Sequence, residues 1–407
     1  MERPLRALYN AHYSEGLYQR YVERLERMLD VKIPFRIAET PLFLPLSLRT
    51  KLARHAREIA TQISAKATID KMRTAIPAQY DVPGMDDLAS CLQIDFAIVR
   101  DAETGELDGR VVELQGFPSL YALMVKQTEA LTEELRQIPG MPRDWSLFYS
   151  GHTRDTFVAA FQKALLAGVP AEEVVMLDLD PAAQKTYADF VATHQLTGVE
   201  SACPTDLKRD GRRLIRKRNG RLEQVRRIYN RIVFDELEVK GVELPFRWTD
   251  DLDVSWFPHP NWYWVWSKYT LPHVDHVAVP RATYLSELDA APRDLSRYVL
   301  KPLFSFAGSG VKVDPTEADL VAVPREQRSG WILQEKIAYE PALPMPSGEG
   351  VKGEVRMMFL RGLGEPPTLV LNLVRLSRGK MLGVDQNKGM DWVGGSVGIW
   401  PADEGSP

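Results

Sequence analysis

The sequence predicts an α/β (α+β) fold, and three patterns along the chain indicate it. Apolar residues at helical spacing dominate the first 90 residues, a β-hairpin pattern follows, and strands alternate with helices from residue 147. The chain has 407 residues, more than one hydrophobic core normally serves. We therefore expect several units: a mostly helical segment at 1–90, and further units at 91–143, 144–245 and 246–400.

The composition predicts a cytoplasmic protein with reduced thiols. Hydrophobic residues make up 44% of the chain and charged residues 26%. No apolar run approaches the ~18 residues of a membrane span, and no apolar stretch follows the N-terminal charges, so neither a membrane segment nor a secretory signal is expected. Two cysteines, Cys91 and Cys203, are too few for a disulfide framework. The net charge of −4 argues against a nucleic-acid partner.

The first elements are predicted from periodicity. In RHAREIATQISAKATIDKM, four apolar residues recur at roughly helical spacing, namely Ile59, Ile63, Ala67 and Ile69. LQIDFAIV (92–99) and RVVELQGF (110–117) each alternate polar and apolar residues around the turn-rich DAETGELDG. These two segments predict a β-hairpin.

From residue 147 the pattern is typical of a parallel sheet. LFYSG, VVMLDLD and GVESACP have strand character, and helical segments separate them. Asp180 before Pro181 has the character of a helix N-cap followed by a first-turn proline. The alternation predicts a Rossmann-like sheet, but YSGHTRD after the first strand has no GxGxxG, so a dinucleotide site is not expected there.

The segment LIRKRNGRLEQV (214–225) is predicted to be a hairpin, because Asn219-Gly220 is a strong two-residue turn signal. Basic residues surround it. A nucleic-acid surface is one interpretation, and a solvated hairpin is the better one, because no aromatic residues are interleaved with the charges.

The tryptophan-rich segment WFPHPNWYWVWSKYTLP (256–272) fits either of two buried structures. Trp262 and Trp266 share a face of a helix, and with Trp264 they also share a face of a strand. His259, His273 and His276 lie nearby without regular metal-ligand spacing, so we interpret them as ordinary loop histidines.

Several residues carry chemistry, although each motif alone is weak. Lys301 ends an apolar strand before a turn with Gly308, Ser309 and Gly310, which by itself is typical of a plain hairpin. Asp95, Glu113 and Gln115 share one face of the predicted hairpin. Their oxygens suit magnesium, but a half-exposed polar face is the better reading of the pattern alone.

Two further pairs stand on predicted strands. Gln334 and Glu335 end the strand WIL, where backbone groups can contact the edge of an adenine ring, although many strands simply end in polar residues. Arg356 and Arg375 each lie in an otherwise apolar strand, so each is expected to pair with a carboxylate or bind an anion.

Taken in order, these segments resemble the circularly permuted ATP-grasp ligases, and in particular the synthetase domain of glutathionylspermidine synthases. The resemblance spans most of residues 90–400 and lies in the series QIDF, VVELQGFPSL, PNWYWVWSKYTLP, VLKPLFSFAGSGV, WILQ, LVRL and DQN. It implies an ATP-grasp fold in permuted order, with the metal hairpin in 91–143, a Rossmann-like pre-ATP-grasp domain at 144–245 and the nucleotide-binding part at 246–400.

The resemblance also implies a role for each matching residue. Lys268 and Lys301 would contact the phosphates of ATP under a loop of Gly308, Ser309 and Gly310. Gln334 and Glu335 would border adenine, and Arg375, with Arg356, would stabilise the transferring phosphoryl group. Magnesium would be held by Asp95, Glu113 and Gln115. Asn387 matches the asparagine that follows the family's late arginine strand, and this match is the weaker one.

The implied function is an ATP- and Mg-dependent carboxylate–amine ligase that forms an amide through an acyl phosphate from a small acid and a small amine. Three departures from the family pattern support an alternative, a catalytically inactive nucleotide-binding protein with a regulatory or assembly role. Gln93 stands in place of the family's arginine, Gln115 in place of an asparagine, and FAGSG lacks the family's charged loop residues.

Overall fold

The computed structural model describes residues 3–305, 308–379, 387 and 389–405. The α-helices are α1 Arg3–His12, α2 Glu15–Leu29, α3 Leu46–Ile63, α4 Lys66–Met72, α5 Tyr121–Leu135, α6 Arg154–Leu166, α7 Tyr187–Thr197, α8 Phe234–Lys240, α9 Trp262–Val265 and α10 Glu317–Val321. The strands are β1 Leu42–Phe43, β2 Cys91–Arg100, β3 Leu107–Gln115, β4 Trp145–Ser146, β5 Val174–Leu177, β6 Glu200–Ala202, β7 Leu207–Asp210, β8 Arg213–Arg218, β9 Arg221–Val225, β10 Arg227–Asn230, β11 Ser255–Phe257, β12 Ala282–Tyr284, β13 Tyr298–Pro302, β14 Lys312–Val313, β15 Trp331–Glu335, β16 Leu343–Pro344, β17 Gly350–Leu360, β18 Thr368–Ser377, β19 Gly394–Ser396 and β20 Gly398–Pro401.

The largest sheet, called the main sheet below, has the order β19-β18-β17-β2-β3, and β16 also pairs with β17. The predicted hairpin is present as β2 and β3. Its register sets Asp95 opposite Glu113 on one side and opposite Arg356 on the other, and β18 sets Arg375 opposite Glu354. Because side chains alternate across a strand, these charged residues all lie on one face of the sheet.

The opposite face of the main sheet is apolar and packs on the N-terminal helices. The side chains of Leu52 and Phe96 pack directly on Gly109, where a Cβ would lie 2.4 Å from Leu52 Cδ2. The predicted helix through this region is present as α3 and α4, which are separated at Ser64 and Ala65. The break turns Ala67 to solvent, whereas Ile59 and Ile63 are buried as expected.

A second, smaller antiparallel sheet has the order β12-β15-β13-β14. Lys301 of β13 pairs with Ile332 of β15, and a core of its own supports this sheet through Leu285, Leu300 and Leu333. We call it the small sheet. It stands over the charged face of the main sheet, since Lys301 Nζ donates to Val112 O of β3 at 3.0 Å.

The predicted parallel sheet is present with the order β11-β10-β5-β6, and its pairs are all parallel. Two details of the prediction are wrong. LFYSG is not one of these strands, because Phe148 and Tyr149 instead bond to the edge of β18. Asp180 does not cap a helix with its side chain, since a 3₁₀ turn follows it and α7 begins only at Tyr187.

The basic hairpin is present as β8 and β9, and both turn residues, Asn219 and Gly220, have positive φ. Most of the surrounding arginines are ion-paired. The pairs are Arg209 with Asp250, Arg212 with Asp251 and Asp253, Arg213 with Asp210, Arg218 with Glu200, and Arg226 with Glu173. Pairing of this kind supports the reading of a solvated hairpin.

The tryptophan-rich segment is helical at its centre, as α9, and is buried. Trp262 and Trp266 are fully buried with ring centroids 4.6 Å apart. Gly116, directly after β3, is required here because a Cβ would lie 2.5 Å from Trp262 O. This packing places the following 3₁₀ turn, which begins at Lys268, against the end of β3.

Within the described part of the chain, no helix is long and apolar enough to cross a membrane.

Candidate functional site

A cavity of about 960 Å³ lies between the charged face of the main sheet and the small sheet. Its walls carry most of the residues that the sequence singled out: Glu113, Lys268, Lys301, Gly308, Gln334, Glu335, Arg356, Arg375 and Asn387. Residues separated by more than 250 positions in sequence therefore meet at one site. This convergence is the main structural result for function.

The two predicted phosphate lysines approach each other from different elements. Lys301 Nζ donates to Val112 O at 3.0 Å, and Lys268 Nζ donates to Ser305 O at 2.8 Å. Both side chains are largely buried, with 8% and 7% of each residue exposed. Their backbone-carbonyl partners hold the ammonium groups in place without neutralising them.

A continuous series of acids and bases crosses the charged face of the main sheet. Glu113 lies 3.8 Å from Lys268 Nζ and 4.0 Å from Arg356 Nη2. Arg356 clamps Asp95 with Nε and Nη2 at 2.6 and 2.7 Å, and Arg375 binds the same carboxylate. The result is a rigid surface with its guanidinium groups fixed in position.

The series ends at Glu354, which the sequence analysis did not single out. Arg375 Nη2 lies 2.8 Å from Glu354 Oε2, and the Tyr339 hydroxyl donates to the other carboxylate oxygen. Glu354 stands two residues before Arg356 in GEVRMMFL, so strand alternation would have placed it on the same face. Tyr339 comes from an irregular segment, and no sequence pattern indicates its position.

Burial and charge shift several pKa values at the site. Burial lowers the pKa of Lys301 to about 8, and nearby Glu113 opposes that shift. Burial works against ionisation of Asp95, yet Arg356 and Arg375 together hold its pKa below the usual range. Burial raises the pKa of Glu354, with Arg375 opposing. Burial opposes the charge on Arg375 as well, but Asp95 and Glu354 raise its pKa.

The predicted metal ligands differ in what they face. Glu113 lines the cavity, with 28% of its side chain exposed. Asp95 is 1% exposed, and both of its oxygens are bonded to arginines. In one orientation of its amide, Gln115 donates from Nε2 to Gln93 Oε1 at 2.8 Å. In the flipped orientation, the Gln115 oxygen lies 2.9 Å from Arg356 Nη1. Arg356 and Arg375 thus occupy the oxygens of Asp95, whereas Glu113 faces the cavity. The three-ligand magnesium set stays a prediction.

The other end of the cavity is formed by the small sheet. Gln334 donates from Nε2 to Val111 O at 3.3 Å, and its buried Oε1 has no hydrogen-bond partner among the described residues. Of the predicted loop, Gly308 lines the cavity, whereas Ser309 and Gly310 are exposed and are not part of its wall. Gly310 instead packs on Pro302, where a Cβ would lie 3.1 Å from Pro302 Cγ. Phe306 and Ala307 of the same turn lie outside the described residues.

The far end of the cavity, beyond Arg375, has contributions that the sequence analysis did not expect. β19 pairs with β18 so that Gly395 lies opposite Arg375, and Ile37 bridges to Gly395. This places Phe35 and Arg36 at the cavity wall, with Lys185 from the turn before α7. Asn387 also lies at the wall, and its amide oxygen accepts from Ser377 Oγ at 2.8 Å.

The three histidines near the tryptophan-rich segment do not form a cluster with one another. His259 contacts Pro83 O, and His273 contacts the Tyr284 hydroxyl. His276 instead contacts Glu58 of α3. A single sequence pattern could not have paired His276 with a helix more than 200 residues away.

Comparison with known proteins connects the chain to one class of fold. No protein-family model matches the sequence, and no curated protein matches it either. Among solved structures, the chain is similar to the apo form of a glutathione synthetase-like effector from Globodera pallida, with a TM-score of 0.56 and 13% identity. The match covers 90% of this chain and 95% of that one.

At this level of identity the similarity shows the fold alone. The chain is a mixed α+β protein whose fold is similar to that of this glutathione synthetase-like effector. The expected α+β class is confirmed. The permuted order and a Rossmann-like character for residues 144–245 stay predictions.

Proposed function

We propose that the protein is an ATP- and Mg-dependent carboxylate–amine ligase that acts through an acyl phosphate. The observation that carries this proposal is the charge of the cavity. Eight basic and four acidic side chains line it within the described part of the chain, although the whole chain has a net charge of −4. Positive charge concentrated in a deep cleft is complementary to a polyphosphate.

The arrangement of the basic groups supports the same proposal. Lys268 and Lys301 would neutralise the polyphosphate, and Gly308 would let the turn approach its oxygens closely. Gln334, whose buried Oε1 has no partner in the described ranges, and Glu335 would border the base. Beyond them, Arg356 and Arg375 would face the transferring phosphoryl group. The parallel sheet supports a Rossmann-like pre-ATP-grasp domain at residues 144–245, and the permuted ATP-grasp order belongs to the same proposal.

The fit to magnesium is partial. Glu113 offers a carboxylate at the cavity wall, and magnesium commonly binds through one or two carboxylates together with substrate phosphates and water. Bound there, the ion would neutralise phosphate charge. Asp95 would join Glu113 only if an arginine released it.

The proposed reaction has two steps. A carboxylate oxygen of the acid attacks the γ-phosphorus of ATP, and the bond to the bridging oxygen breaks, so that ADP leaves and an acyl phosphate forms. The amine nitrogen then attacks the acyl carbon, inorganic phosphate leaves, and the nitrogen loses a proton. The protein's contribution is positioning and electrostatic stabilisation of the phosphoryl group by Arg375 and Arg356.

The direct test is release of ADP from MgATP by the purified chain. We expect release only when a pool of amino acids, small peptides and polyamines supplies both an acid and an amine. Removing magnesium with a chelator should abolish it. If ATP binds by calorimetry but no pool yields ADP, the alternative applies, an inactive nucleotide-binding protein. Absence of ATP binding would overturn both.

Proton uptake on binding is a second expected result. Because the pKa of Lys301 is about 8 in the free protein, the lysine is half protonated at pH 8. A neighbouring polyphosphate raises that pKa, so binding of MgATP at pH 8 should take up about half a proton. Calorimetry in two buffers with different ionisation enthalpies measures this uptake. Uptake should shrink at pH 6.5, and a heat independent of the buffer at pH 8 would contradict the assignment.

A further inference from the structure

A second cluster of potential ligand atoms lies on the α3 side of the main sheet, outside the cavity. His55 and Glu58 stand one turn apart on α3, and His276 comes from the loop that precedes β12. One ligand atom from each residue lies within 4.8 Å of the other two. None of the three residues lines the cavity described above, so the proposed ligase chemistry does not use them.

His55 has the geometry of an oriented metal ligand. Its residue is 1% exposed, and its Nε2 lies 3.1 Å from Asp108 Oδ1. A proton on Nε2 is therefore shared with a carboxylate, and Nδ1 presents a lone pair. Within the part of the chain that the structure describes, that Nδ1 has no hydrogen-bond partner, and it lies 3.9 Å from Glu58 Oε2. Pairing of one ring nitrogen with a carboxylate is how proteins commonly orient a histidine toward a metal with the other.

Glu58 and His276 complete the cluster from the solvent side. His276 Nε2 lies 2.9 Å from Glu58 Oε2, and the Glu58 side chain is 45% exposed. His276 Nδ1 accepts a hydrogen bond from the Ala278 amide at 3.1 Å. Ligation through Nε2 therefore requires the ring proton to move to Nδ1 and the bond from Ala278 to open.

Neighbouring charges are mixed. Arg54 lies 3.5 Å from Glu58, and Arg110 lies 3.8 Å from Asp108, so both arginines compete with a cation for these carboxylates. Because of these two arginines and of the proton that must move on His276, we expect the affinity of this cluster for a metal ion to be lower than that of a closed structural zinc site.

We propose that His55 Nδ1, Glu58 and His276 Nε2 bind one divalent transition-metal ion of the zinc class, with water in the remaining positions. Two imidazole nitrogens and one carboxylate suit Zn²⁺, Co²⁺ or Ni²⁺, whereas Mg²⁺ prefers oxygen ligands alone. The ion would tie α3 to the 276–278 loop, whose Ala278 carbonyl accepts from Val111 of β3 at 2.7 Å. Occupancy should therefore raise the thermal midpoint of unfolding.

The test is titration of the untagged full chain with Co²⁺, followed by visible absorption, and with Zn²⁺, followed by calorimetry. We expect one saturating equivalent, with weaker binding as pH falls from 7.5 to 5.5, because protons compete for the imidazoles. Glu58→Gln and His276→Gln should each weaken binding at least tenfold. His152→Gln, on a separate surface turn, is the matched control and should bind as the unchanged chain does.

The proposal fails if the unchanged chain shows no saturable Co²⁺ binding, or if both Glu58→Gln and His276→Gln bind as tightly as the control. Circular dichroism verifies that each variant is folded, and Glu58 is exposed enough for its variant to keep the fold. Binding of MgATP should be the same in all of these variants. The outcome is thus independent of whether the ligase proposal holds.

Discussion

Replacing Lys301 with methionine is expected to lower ATP turnover about 10²- to 10³-fold, the range typical for loss of one fixed electrostatic contact to a transition state. The substitution keeps most of the side-chain volume and removes the charge. The buried ammonium has no carboxylate within ion-pair distance among the described residues, so the fold itself does not depend on its charge.

Although ATP turnover should fall in Lys301→Met, the free energy of unfolding of this variant should stay the same or rise. The folded-state pKa of Lys301 is depressed to about 8, below the value near 10.4 of an unfolded lysine. Below pH 8 the charged lysine therefore costs native stability, by an upper bound of about 3 kcal/mol. The penalty disappears as pH rises from 8 to above 10. Lys301→Met should be at least as stable as the unchanged chain at pH 7, as measured by urea unfolding.

Lys312→Met is the matched control for Lys301→Met. Lys312 lies on the neighbouring strand β14 with its side chain 58% exposed, 4.0 Å from Asp319. Its loss should leave both turnover and the free energy of unfolding almost unchanged. Equal turnover in the Lys301 variant and the unchanged chain would remove Lys301 from the proposed site.

Replacing Asp95 with asparagine should have the largest effect on stability, a loss of about 3–5 kcal/mol, which is typical when one partner of a buried ion pair is removed. Asp95 is the shared acceptor of Arg356 and Arg375, and the substitution leaves the buried guanidinium of Arg356 and the partly buried one of Arg375 with less negative charge. Urea unfolding at pH 7 measures the loss. An Asp95→Asn variant as stable as the unchanged chain would show that the arginines do not need this carboxylate.

The pH dependence of this effect follows from the direction of the pKa shift. Because the folded-state pKa of Asp95 is depressed, its contribution is fully present above the unfolded value near 3.9 and is lost as pH falls through the folded-state pKa. The difference in stability between the two chains should therefore narrow only in strong acid.

Glu113→Gln separates the structural role of Asp95 from a role in metal binding. Glu113 is partly exposed and lies 3.8–4.0 Å from its basic neighbours, so its ion pairs should contribute less than about 1 kcal/mol. If Glu113 holds magnesium, the variant stays folded but needs far more Mg²⁺ for ADP release. A wild-type requirement for Mg²⁺ in this variant would remove Glu113 from the metal site.

The elements that depend on local sequence were predictable. The hairpin of β2 and β3, the turn at Asn219-Gly220 and two of the four parallel strands, β5 and β6, follow from periodicity and turn chemistry, which act over a few residues. Glu354 could also have been predicted as a site residue, since alternation along β17 places it on the same face as Arg356. Boundaries were less predictable, as at Ser64 and Ala65, where the chain breaks a helix that the apolar spacing continues.

By itself, the sequence determined several of the strands and helices, such as β2, β3, β5 and β6, and the strand face on which the charged residues of β2 and β3 stand. Only the tertiary structure decided what those charges meet. Arg356 donates to Asp95 and Gln93 on a strand more than 260 residues away, so that Asp95, one of the predicted metal ligands, is bonded to arginine. His276 meets Glu58 and His55 in the same way. Local patterns carry no information on such pairs, because long-range register and packing bring them together.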